Sequence, residues 1–224
     1  MKQPFKYSAG DGEVHVWYAS LDLGAVRAKE MERTLSEEEL GQAERFRFRK
    51  DRESFIAARG LLREILGSYL GEEPRRLRFC CGPHGKPALA GQSEDEKTLR
   101  FNVSNSEGFA LFAMTRGREI GVDLEQISPS KLDEKVAERF FSPQEVVSLQ
   151  VLPPSERPRA FFTTWTRREA YLKARGEGLS GISDAALEPT GWSLRTFIPQ
   201  PGYVAALAAK GRDWRFTCSP WMME

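Results

Sequence analysis

Histidine and cysteine are scarce in this 224-residue chain, and each scarcity removes a class of chemistry. With only His15 and His84 there is no Ser-His-Asp set worth assembling. His15 alternates within a strand pattern and reads as structural. Three cysteines cannot all pair with one another, and Cys80 and Cys81 are adjacent, which is poor disulfide geometry. The expected setting is a reducing cytoplasm. Cys81 and His84 have no partner pair for a zinc site and read as turn residues. An excess of one charge sign is also missing: 33 Lys and Arg face 32 Asp and Glu, for a net charge of +1. Such a chain has no whole-molecule field to draw in nucleic acid or an anionic membrane, so any anion binding must be local. The longest uncharged apolar runs, 109–114 and 203–209, fall far short of the roughly 20 residues a membrane helix needs. The opening MKQPFKYSAGDGE holds no apolar stretch that could serve as a signal peptide. Neither G-x-x-x-x-G-K-[ST] nor G-x-G-x-x-G occurs, and no segment is low in complexity.

What is present suffices for a core. A hydrophobic fraction of 40% with 11% aromatics excludes wholesale disorder, and the length allows one large domain or two small ones. Residues 13–18 (EVHVWY) alternate as a strand does. Ser36 and Glu39 form an N-cap with a capping-box acid, opening a helical pattern over about 37–70 that can contain a break. A short strand is expected at 77–81, turn chemistry in the following CGPHGKP, and a polar loop over 91–97. Two apolar runs, 99–104 and 109–114, flank an Asn-Ser-Glu-Gly turn and predict a hairpin, with a third strand at 120–124. Residues 131–140 are helical in pattern. Ser142-Pro-Gln-Glu145 then supplies an N-cap, a proline at the first helical position and a box acid, which accounts for Glu145 without a functional role. A strong helix is expected over about 158–174, stopped by Gly176, and strands over 191–198, 203–209 and 214–218.

One internal echo bears on architecture. GFALFAMTRGR at 108–118 can be laid on GYVAALAAKGR at 202–212, an offset of 94 residues with three identities. Chance similarity between two strand-turn segments is the plain alternative. An offset near half the chain predicts an α+β fold of two similar lobes, 1–116 and 117–224, with the functional cleft between them.

Three segments could carry chemistry. In Gly121-Val-Asp-Leu-Glu125 the side chains alternate, so Asp123 and Glu125 leave one face of a strand. Two carboxylates there repel unless a divalent cation or basic groups lie between them, and hard oxygen donors suit Mg²⁺. D-x-E alone is common, and a solvated strand face reads as well. In Trp165-Thr-Arg-Arg-Glu-Ala-Tyr-Leu-Lys173, helical spacing puts Phe162, Thr166, Glu169 and Lys173 on one stripe beside an apolar stripe of Phe161, Trp165 and Leu172. Glu169 and Lys173 alone could be an ordinary ion pair four residues apart. In the helix around 45–63, Arg45, Arg49, Arg52, Arg59 and Arg63 fall on one side, next to Phe48, Phe55, Leu62 and Leu66. That basic stripe could grip phosphates at a cleft edge, or could be a surface stripe paired with Glu44, Glu53 and Glu64. Lys86, in Gly-Lys-Pro, is a further candidate phosphate ligand.

Taken in order, FNVSNS (101–106), GVDLE (121–125), RFFSPQE (139–145) and FFTTWTRREAYLKARGEGL (161–179) resemble the signature of the Sfp-type 4′-phosphopantetheinyl transferases. The upstream ERFRFRKDRESFIAARGLLR (44–63) and GKP (85–87) resemble that family's N-terminal half, so the likeness is colinear over about residues 35–180. The resemblance implies two α+β lobes of similar topology and transfer of the phosphopantetheine arm of coenzyme A to a serine of an apo acyl or peptidyl carrier protein. Adenosine 3′,5′-bisphosphate would be the other product. By position, Asp123, Glu125 and Glu169 would hold Mg²⁺ against the coenzyme A pyrophosphate. Glu169 would also be the general base, and Lys173 would offset charge on the departing phosphate oxygen. Ser104, Lys86 and Asn105 would contact coenzyme A phosphates, with Arg45, Arg52 or Arg59 contributing. A monomer is expected, since two joined lobes already supply a cleft. Two positions depart from the pattern: Asn105 stands where histidine is usual and Arg168 where lysine is usual. Arg168 keeps its charge, whereas Asn105 cannot carry one. The alternatives are a non-catalytic coenzyme A-binding or carrier-docking protein and, more distantly, a Mg²⁺-dependent pyrophosphohydrolase.

Overall fold

The computed structural model describes residues 7–10, 12–82, 85–91, 98–177 and 190–222; His84 and nearly all of the 91–97 loop lie outside the described residues. The chain begins with strand β1 (Glu13–Ser20) and helix α1 (Gly24–Thr34). Sequence patterning gives no warning of α1, because Leu23 provides no side-chain cap and Met31 alone is fully buried. Helix α2 (Glu37–Glu44) starts at the expected capping box, with Ser36 N donating to Glu39 Oε2 at 2.8 Å and Glu39 N to Ser36 Oγ at 3.3 Å. The long helical pattern does break: the backbone is extended at Phe48, and α3 (Arg49–Leu70) follows, closed by Gly71 in the left-handed conformation.

Two short strands, β2 (Phe79–Cys81) and β3 (Pro87–Leu89), pair with each other. The hairpin of β4 (Leu99–Ser106) and β5 (Phe109–Arg116) is tighter than expected. Its loop is only Glu107-Gly108, both with positive φ, as a two-residue hairpin requires. Strand β6 (Ile120–Gln126) leads to helices α4 (Glu134–Phe140), α5 (Pro143–Val151) and α6 (Arg157–Arg175), then to β7 (Trp192–Phe197), β8 (Tyr203–Lys210) and β9 (Arg215–Pro220).

The strands form two main sheets, ordered β4-β5-β1-β9 and β6-β8-β7. Alternation sorts their side chains into layers. On β5, Ala110, Phe112 and Met114 join the core under α3, while Leu111 and Ala113 point to the second sheet. On β8, Ala206 and Ala208 pack on α6, while Ala205, Leu207 and Ala209 point to the first sheet. The result is helix, sheet, sheet, helix, and it explains why both strands are apolar almost throughout.

The internal echo is therefore structural. Residues 94 apart, such as Leu111 and Ala205 or Phe112 and Ala206, take equivalent sides of equivalent strands. Each lobe has a central strand antiparallel to a strand on either side, β4 and β1 around β5, β7 and β6 around β8. The fold is α+β and two-lobed, as expected. Strand β9 crosses back and pairs in parallel with β1, so the first lobe's sheet is finished by the end of the second. No helix among the described residues is long and apolar enough to cross a membrane.

Candidate active site

The site begins with a missing side chain. A Cβ at Gly121 would stand 2.1 Å from Ala170 O and 2.3 Å from Ala174 N, so only glycine lets α6 lie this close to β6. Ile120, Val122 and Leu124 face the other sheet. Gly121, Asp123 and Glu125 consequently face α6, which brings Glu169 and Lys173 to the two acids of β6.

Asp123 is 4% exposed and lies at the centre. Its Oδ1 accepts from Lys173 Nζ at 2.5 Å and from Ser104 Oγ at 2.9 Å. Lys173 Nζ also donates to Ser104 Oγ at 3.0 Å, so this lysine reaches across to both sheets. The other oxygen, Oδ2, is buried without a hydrogen-bond partner among the described residues. Glu125 is half-buried and accepts from Ser106 Oγ at 3.0 Å. Glu169, also half-buried, has its carboxyl raised above the usual range by burial and by the charge of Asp123. Burial raises Asp123 in spite of Lys173, and raises Glu125 with help from Asp123.

Three coupled carboxyls of hard oxygen donors, one with an orphaned buried oxygen, fit a small divalent cation. The side chains do not already converge: no group of three His, Cys, Asp or Glu among the described residues is arranged to hold a metal as it stands.

The remaining expected residues are divided. Lys86 Nζ donates to Glu119 Oε2 at 3.2 Å and to Ile120 O and Ala174 O at 3.0 Å each, which uses all three of its donors. Arg59 pairs with Glu39 at 3.2 Å, and Arg52 with Glu32 at 3.5 Å. Arg45, Arg52 and Asn105 are exposed. Asn105 shares the β4 face of Phe101 and Val103, opposite Ser104. The turn beside it meets the start of α3 through Lys50 and Glu107 at 3.9 Å.

The even stripe expected along 45–63 does not exist as such: Phe48 is 62% exposed and Arg63 is 1% exposed. Arg63 is held by Glu39 at 2.7 Å and by the carbonyls of Pro74 and Leu77. Position 168 pairs with Glu145, whose side chain also closes the capping box on Ser142 at 2.7 Å. Sequence reasoning missed Asn102 and Ser106 as participants, although their i, i+4 spacing around Ser104 on one strand was a usable signal.

The fold and site define a two-lobed α+β protein with clustered carboxyls on an edge strand and a lysine laid over them. Comparison with known proteins gives the family. The family model described as 4′-phosphopantetheinyl transferase superfamily matches residues 119–219, and the one described as 4′-phosphopantetheinyl transferase, N-terminal, matches residues 27–116. The chain is similar to 4′-phosphopantetheinyl transferase HetI of Nostoc sp., with 41% identity over 214 residues covering 91% of this chain and 90% of the relative. It is 33% identical over 190 residues to a putative 4′-phosphopantetheinyl transferase of Synechocystis sp., covering 85% and 74% of the two chains. It is 26% identical over 195 residues to 4′-phosphopantetheinyl transferase Sfp of Bacillus subtilis, covering 80% and 84%. The chain belongs to the 4′-phosphopantetheinyl transferase superfamily.

Proposed function

We infer that this protein transfers the 4′-phosphopantetheine arm of coenzyme A to a serine hydroxyl of an apo acyl or peptidyl carrier protein. The observation that carries the reading is the buried, unpartnered Oδ2 of Asp123 beside Glu125, Glu169 and Lys173. Asp123, Glu125 and Glu169 would hold Mg²⁺, which when bound supplies charge neutralisation at the diphosphate. In the step, the serine oxygen forms a bond to the phosphorus that bears the pantetheine. The bond from that phosphorus to the bridging oxygen breaks, and the electron pair leaves with adenosine 3′,5′-bisphosphate. Glu169 takes the serine proton as general base, directly or through water. Lys173 meets the charge on the leaving oxygen.

Arg45, Arg52 and Asn105, exposed around the start of α3, are proposed contacts for the adenosine-side phosphates. Arg59, Lys86 and Ser104 would have to share donors now given to Glu39, to Glu119 with two carbonyls, and to Asp123. The protein is proposed to act as a monomer in the cytoplasm.

The test incubates the protein with coenzyme A, Mg²⁺ and a panel of apo carriers and reads carrier mass. Gain of one phosphopantetheinyl group with release of the bisphosphate is the expected result. Cleavage of coenzyme A without carrier gain would make the protein a hydrolase. Neither product would make it a binding protein.

A further inference from the structure

Among the described residues, strand β6 pairs with β8 on one side only, which leaves its other edge to be satisfied by something else. That edge is met by side chains of β4, not by a strand. Val122 N donates to Asn102 Oδ1 at 2.8 Å, Leu124 N to Ser104 Oγ at 3.2 Å and Gln126 N to Ser106 Oγ at 3.2 Å. Three alternate residues of one strand thus satisfy three alternate amides of another. The two serines do more. Each hydroxyl accepts a backbone N–H of β6, so its own proton is directed elsewhere: from Ser104 to Asp123 Oδ1 at 2.9 Å and from Ser106 to Glu125 Oε2 at 3.0 Å. Ser104 also accepts from Lys173, which completes its one donor and two acceptor sites. Each serine therefore ties the carboxylate of residue n to the amide of residue n+1.

This arrangement fixes two things at once. Register along β6 is pinned, and a slip of one residue would turn both acids to the opposite face. The pinned hydroxyls also hold one oxygen of Asp123 and one of Glu125 by way of the other lobe's sheet. We propose that Asn102, Ser104 and Ser106 are positioning residues, a polar stripe of the first lobe that aims the carboxylates of the second and so sets the affinity of the site for its divalent cation. The proposal rests on the transferase reading. It removes Ser104 from the list of mere substrate contacts and gives Ser106 and Asn102 roles that phosphate binding does not explain.

Ser106 is the position to test, being half-buried and supported by two bonds. Mn²⁺ is titrated into the whole protein by electron paramagnetic resonance, and amide exchange is read at Gln126. In Ser106→Ala, Mn²⁺ affinity falls about tenfold, in the range seen when a ligand's outer partner is lost. Exchange at Gln126 speeds up, kcat falls at limiting Mg²⁺ and recovers at saturation, and KM for coenzyme A stays within twofold. Ser106→Thr, which keeps the hydroxyl, restores the three that change. Unchanged Mn²⁺ affinity and Gln126 exchange in Ser106→Ala would overturn the proposal. So would a raised KM for coenzyme A at unchanged Mn²⁺ affinity, which would make Ser106 a substrate ligand. If the wild-type protein bound no Mn²⁺ the aiming role would fall, while the carrier-mass assay would report separately on the transferase reading.

Discussion

The two lobes bury polar groups in opposite ways. Under α3, Arg63 is fully enclosed and every contact it makes is returned: Nε and Nη2 meet Glu39, and Nη1 meets two carbonyls. Glu39 gives its other oxygen to Arg59. Under α6, Asp123 is nearly as deep, yet one of its oxygens has no partner and its neighbours Glu125 and Glu169 are also acids. A satisfied buried pair ties helices together, whereas an unsatisfied buried carboxyl is destabilising and is kept where it does work. The same layered scaffold, used twice, encloses a fully paired charge in one lobe and an incompletely paired one in the other.

The contrast is sharpest in paired variants. Asp123→Ala is expected to lower Mg²⁺-dependent transfer by about 10³-fold or more, since metal-linked charge stabilisation is worth several kcal/mol. Circular dichroism should show the fold intact. Asp123→Asn should raise the Tm of the metal-free protein by about 2–4 °C, because the cost of burying that charge outweighs its pairing with Lys173 and shape is kept. A loss of Tm on that change would erase the difference between the lobes. Arg63→Met should do the reverse, costing about 3 kcal/mol in chemical denaturation by leaving Glu39 with one partner fewer. Its specific activity per folded molecule should be unchanged.

Glu169→Gln keeps size and loses basicity. Its kcat should fall about 10²-fold while coenzyme A binding, measured by calorimetry, persists. The smallest effect belongs to His15. Trp17 Nε1 donates to the Tyr69 hydroxyl at 3.0 Å, and the same hydroxyl shares a hydrogen bond with His15 Nδ1 at 2.6 Å. Burial holds the imidazole below its ordinary value, against the pull of Glu13. Stability from a neutral His15 is therefore complete above the unfolded value of about 6.5 and is lost as pH falls from there to the folded value. Melting curves of His15→Gln should lack that acid-side fall.

Local signals account for what was legible in the sequence. Both capping boxes, at Ser36 and Ser142, the stop at Gly176 and the alternating strands depend on residues within a turn or two, and each stands where spacing put it. The repeat was legible from the glycine that opens both segments, the Gly-Arg that closes them and the Phe/Tyr and Arg/Lys pairs between, since turns at strand ends keep their residues while the apolar strand interior does not. What escaped depends on distant partners. Arg63 looked like one more member of a basic stripe because its acid, Glu39, is 24 residues away. Lys86 looked free because Ala174 is 88 residues away. Helix α1 lacks a side-chain cap and buries too little to show a period. Within the site, the residue types of Asp123, Glu125, Glu169 and Lys173 were readable, and the alternate spacing of Asn102, Ser104 and Ser106 was too, but not their partners, since the β6 amides they meet lie 20 residues further on.

Strand β9 gives the molecule a particular order of assembly. Glu13 and Arg215, 202 residues apart, meet at 2.7 Å where β9 lies against β1. During synthesis the first lobe's helices and the β4–β5 hairpin emerge long before this strand, so one side of β1 stays open while the second lobe is still being made. An open strand edge invites pairing with another chain, and closure across so long a stretch is slow. The first lobe is thus finished last, and excising it as a separate fragment would leave that edge bare.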